Sequence, residues 1–145
     1  MLYSFRFFIS WIISAIVMYS LFYVWHGIFL NDLEKISFNI VLFLLLAALV
    51  YLVISFVIYR TFESRLLKKY IVKPMSRGII SGVMVGFVLF AIVSVLGISF
   101  THTVNTKYII VDCAWQILEQ IVGGLIVGLG KIMIFEPDSD DLVHD

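Results

Sequence analysis

Four apolar runs divide this chain, at about Phe7–Leu30, Phe38–Tyr59, Gly78–Phe100 and Tyr108–Phe135, with polar stretches between them. A hydrocarbon core of about 30 Å is crossed by about 20 helical residues at about 1.5 Å each, so every run is long enough to span it. A helix meets this demand because it satisfies its own backbone donors and acceptors where no water can. The expected fold is therefore all-α: one four-span transmembrane bundle over residues 1–135, followed by a tail over 136–145. Composition agrees. The 145 residues are 62% hydrophobic and 14% charged, with a mean hydropathy of +1.08, which leaves too little polar surface for a soluble domain.

The first run competes with a cleaved signal peptide, since Arg6 precedes it. It is too long for an apolar region of roughly 7–15 residues, and no small-x-small site follows, so it reads as a retained helix. The tail, EPDSDDLVHD, holds five acids and little to bury, and is expected to be solvated and mobile. A single cysteine, Cys113, excludes an intrachain disulfide and paired-thiol redox chemistry.

Net charge is zero, yet the cations are unevenly placed. Arg6, Lys131 and the six cations of the connector Arg60–Arg77 fall on one side of the expected bundle, against Lys35 and Lys107 on the other. The positive-inside rule then makes both termini and the connector cytoplasmic. Within the connector, Arg60, Arg65, Lys68, Lys69, Lys73 and Arg77 alternate with Phe62, Leu66, Leu67, Tyr70 and Ile71. Such a segment suits a headgroup layer rich in anionic lipid. Nucleic-acid binding, the other meaning of a basic run, is disfavoured for a connector clamped between two spans. Pro74 punctuates it and places the start of the third helix soon after.

Gly78, Gly82 and Gly86 recur every four residues in the third run, and Gly124 and Gly128 form a pair in the fourth. Small residues at this spacing let two helix backbones approach closely. The fourth helix is the preferred partner of the row, and a second copy of the chain is the other. In the second run Tyr51, Ser55 and Tyr59 share a face, which reads as bundle packing with hydroxyls bonded to neighbouring backbone.

The stretch DCAWQILEQIVGGLIVG, residues 112–128, carries the strongest functional signal. At 100° per residue Asp112, Gln116, Glu119 and Gly123 fall within about 60° of one another, with Gln120 beside them and Trp115 at the edge. Glu119 lies about eleven residues into its span, roughly 16 Å down. A carboxylate at that depth costs about 2.5–3.5 kcal/mol, so it must face the bundle, a partner or water, or carry a proton. A functional site and a structural hydrogen bond are equally good explanations of it. Asp112 is adequately explained as a solvated acid near a helix N-terminus. His26 and His102 belong near the same outer level, and the set suggests an outward-opening polar pocket.

Divalent metal and haem are weak readings. No HxxxH or ExxH spacing is present, and the two histidines sit at loop ends. Trp25 and Trp115 read as interfacial anchors. No phosphate loop or nucleophile elbow occurs, and no cofactor is expected. The second half of the chain, about residues 78–130, resembles small bacterial four-helix membrane proteins of unknown function, through Gly82, Gly86, Asn105, Asp112 and Trp115. Gln116 and His102 depart from that pattern. The resemblance implies four spans and a place in the bacterial inner membrane, and it implies no activity. The first functional expectation is a small ligand-binding or transport-type protein, acting as a homo-oligomer, that uses Glu119. An accessory subunit docking a partner through its glycines comes second. A membrane enzyme acting on lipid or quinone through His26, His102 and Asp112 comes last.

Overall fold

The computed structural model describes residues 4–35, 39–100 and 106–134. The regular elements among them are all helical. Helix α1 (Phe5–Phe22) runs into a π-helical segment (Tyr23–Phe29) and a 3-10 turn (Asp32–Lys35); α2 (Ile40–Phe62), α3 (Arg65–Tyr70), α4 (Pro74–Phe100) and α5 (Thr106–Met133) follow. Four segments, Phe5–Phe29, Ile40–Phe62, Pro74–Val95 and Ile110–Met133, are long and apolar enough to cross a bilayer. The architecture is that of a multi-pass membrane protein. The turn expected at Thr101–Asn105, with His102, and the acidic tail lie outside the described residues.

Local chemistry accounts for most boundaries. Asn39 caps α2, its Oδ1 accepting from Val41 N at 3.0 Å and Leu42 N at 3.3 Å. Ser64 caps α3 by accepting from Leu67 N at 3.4 Å. Helix α4 begins at Pro74, four residues before the expected Gly78, because proline fits a first helical turn whose N–H has no partner anyway. The first span departs from a regular helix at Tyr23. Its ladder lengthens to five-residue steps, as in Leu30 N donating to Trp25 O at 2.9 Å. Asn31 then takes a left-handed φ of 53°, which asparagine tolerates better than most residues, and the chain turns back over buried Leu33.

The tightest contact is α4 against α5. A Cβ on Gly78 would overlap the Gly124 carbonyl oxygen, one on Gly82 the Gln120 carbonyl, and one on Gly128 would come within 2.8 Å of the Pro74 carbonyl. Each four-residue step up α4 thus meets a four-residue step down α5, with backbone on backbone. The glycine row is filled from within the chain. Helix α1 crosses the other side of α5 in a similar antiparallel register. Ser10 faces Gly130, Met18 faces Gly123, and Ser14 Oγ donates to Gly123 O at 3.0 Å.

Helix α2 is tied to α1 by hydrogen bonds to backbone carbonyls. Trp11 Nε1 donates to Leu52 O and Ser55 Oγ to Trp11 O, both at 2.7 Å. Phe7 packs edge-on against Tyr59 and Phe56 in the same seam. Lipid tails are as apolar as leucine, so the large side chains of the four spans left exposed are solvated by the bilayer, and small-residue contact holds the bundle.

Replacing Gly124 by leucine is expected to lower the unfolding free energy in mild detergent by about 3 kcal/mol or more, since its new atoms meet backbone that cannot give way. Val53→Leu, on an exposed face, is expected to change it by less than about 0.5 kcal/mol. Denaturant titration followed by circular dichroism measures both.

Candidate functional site

Glu119 is 2% exposed. It follows Ile110, the start of its span, by nine residues (119 − 110), about 14 Å at helical rise, and so lies near the middle of a core of about 30 Å. Helix α2 supplies its neighbour: the Tyr51 hydroxyl lies beside the Glu119 carboxyl. One carboxyl oxygen, Oε1, is buried with no hydrogen-bond partner among the described residues. An acid at this depth thus has a polar neighbour from one other span and an oxygen left over.

Gln120 adjoins it and is fully buried, and neither its amide oxygen nor its nitrogen has a partner among the described residues. Gly86 makes room for it: a Cβ there would lie 3.2 Å from both Cβ and Cγ of Gln120. Helix α5 therefore presents Glu119 toward α2 and Gln120 toward α4 from consecutive positions. Buried amides and carboxyls without partners are rare because each costs about 1–3 kcal/mol.

Trp115 stands one turn before Glu119 on the same face of α5. Its ring stacks on Trp25 with centroids 4.2 Å apart and planes 13° from parallel. Both indole N–H groups are buried without acceptors among the described residues. Trp25 comes from the π-helical segment, a local irregularity that often marks functional positions. The two tryptophans, expected as separate interfacial anchors, instead meet each other.

The expected polar stripe is divided. Glu119 and Gln120 are buried, Gln116 is half-buried and Asp112 is exposed. His26 is half-buried and lies beside the Phe22 ring, 5.0 Å between centroids. His102 lies outside the described residues. Among the described residues no three His, Cys, Asp or Glu side chains gather where they could share a metal ion. Chemically, Glu119, Gln120 and Tyr51 offer donors and acceptors for a proton, a water or a small polar group.

Tyr51 is the site residue that sequence reasoning placed only as packing. Its spacing with Ser55 and Tyr59 put it on the inner face, but nothing in the chain tied that face to Glu119. No protein-family model, curated protein or solved structure matches the chain.

Gln120→Leu removes an unpaired amide and is expected to raise the unfolding free energy by about 1 kcal/mol, whereas Tyr51→Phe strips the carboxyl of its polar neighbour and is expected to lower it by about 1 kcal/mol. Denaturant titration of both variants in the same detergent provides the check.

Proposed function

We propose that this is a small ligand-binding or transport-type membrane protein whose interior site is Glu119, with Tyr51 and Gln120, and that protonation of Glu119 couples to occupancy of the site. The supporting observation is the pair of adjacent mid-span side chains, Glu119 and Gln120, buried with polar atoms that no group among the described residues satisfies. An ionisable residue within a span marks a functional site by default. Structural glue would bond every atom, as Ser14 and Ser55 do.

In this reading the Trp25–Trp115 stack covers Glu119 from the end of the bundle where Asp112 lies, and the site opens to that side when the indoles part. Asp112, Gln116 and His26 would then border the entrance. The cation count supports that end as the outer one and cytoplasmic termini, and the resemblance of the second half supports a bacterial inner membrane. An accessory-subunit role has less support, because the glycine row that would dock a partner is already occupied by α5.

Glu119→Gln is expected to abolish pH-dependent binding or flux in proteoliposomes while insertion and helical content are kept. Unchanged pH dependence removes the proposal. The indoles give a second readout: Trp115→Ala is expected to expose Glu119 to a water-soluble carbodiimide that leaves the wild-type carboxyl unmodified, as read by peptide mass.

A further inference from the structure

A groove of about 370 Å³ runs between α2 and α4, and neither Tyr51 nor Glu119 lines it. Val53, Val57 and Thr61 form one wall, and Met84, Val88 and Ile92 the other. The single hydroxyl among them is already engaged, since Thr61 Oγ1 donates to Val57 O at 2.8 Å. The groove therefore offers a ligand no free donor, and its walls are otherwise hydrocarbon. Each wall covers eight residue steps, about 12 Å, close to the depth of one leaflet of a core of about 30 Å. A single alkyl chain fits a trough of this length and lining.

The end of the groove at Thr61 is cationic. Arg60 adjoins Thr61 in the last turn of α2 and is exposed. From α4, Arg77 lies two turns below Met84, a lining residue on the same face. Its guanidinium carbon sits 4.2 Å from the centre of the Phe62 ring. Arg77 is only 6% exposed, and its Nε is buried without an acceptor among the described residues. Lys73, exposed, precedes it by one turn. A buried guanidinium short of an acceptor calls for an anion, and a phosphate oxygen accepts such charge-assisted bonds well.

We propose that this groove binds one anionic phospholipid, its acyl chain lying between α2 and α4 and its phosphate held by Arg77, with Arg60 and Lys73 beside it. The hydrocarbon wall selects a chain, and the three cations select a negative headgroup over a zwitterionic one. The site is separate from Glu119 and stands whether or not that residue couples to protons.

Native mass spectrometry of the purified protein in mild detergent, mixed with dioleoyl phosphatidylglycerol or dioleoyl phosphatidylcholine, tests this. The anionic lipid is expected to be retained roughly tenfold better. Val88→Trp, which fills the groove from an exposed position, is expected to release both lipids. Arg77→Gln is expected to remove the preference without emptying the groove. Should that variant misfold by circular dichroism, the double variant Arg60→Gln, Lys73→Gln, at exposed positions, is expected to reduce the preference instead. Equal retention of the two lipids by the wild type, retention unchanged in Val88→Trp, or a preference unaltered in the folded charge variants each overturns the proposal. A dimer that Val88→Trp disperses assigns the groove to a second copy and overturns it as well.

Discussion

The bundle depends on how closely α4 approaches α5. In a bilayer no hydrophobic force drives two spans together, because lipid tails solvate apolar side chains as well as another helix does. Attraction must come from dispersion at short range, and glycines at Gly78, Gly82, Gly124 and Gly128 let backbone touch backbone. That contact also sets the azimuth of α5. With its glycine face against α4, Gln120 is carried onto the surface of Gly86 and Glu119 is turned toward α2. The polar site is thus a consequence of the packing, not a separate construction.

A contrast among buried polar groups gives the site its meaning. Ser14, Ser55 and the Trp11 indole reach backbone carbonyls of other spans, at 2.7–3.0 Å, and fasten α1 to its neighbours. Glu119, Gln120, Trp25 and Trp115 sit in the same bundle and retain atoms without partners. The first group is ordinary membrane adhesion. The second lies on α5 and on the π-helical segment, where irregular backbone already lowers the cost of movement, and Ser10 Oγ on α1 is likewise without a partner among the described residues. Arg77 repeats the pattern at the opposite end of the molecule, where the unmet need is for an anion.

Some of this was legible along the chain. The four spans follow from run length alone, and the inner positions of Glu119 and of the Tyr51–Ser55–Tyr59 face follow from helical periodicity. The interruption at Tyr23 was not legible, because a π-helical ladder leaves the hydrophobicity of a run unchanged. Nor was the start of α4 at Pro74, since a proline marks a first turn or a break with equal force until the neighbouring structure is known. The tryptophan stack was hidden for a different reason: Trp25 and Trp115 are each typical boundary residues taken singly, and stacking is a property of the pair.

Sequence by itself determined that the chain is an all-helical, multi-pass membrane protein with a carboxyl at mid-span, because hydropathy, length and a period of 3.6 residues are local properties. Tertiary structure alone decided which groups meet that carboxyl, which helix the glycine face of α5 meets, and that Trp25 stacks on Trp115. Those outcomes turn on the relative rotation of helices. A rotation of tens of degrees changes a polar residue's neighbours without altering any helix's own hydrogen bonds, so no single segment encodes it.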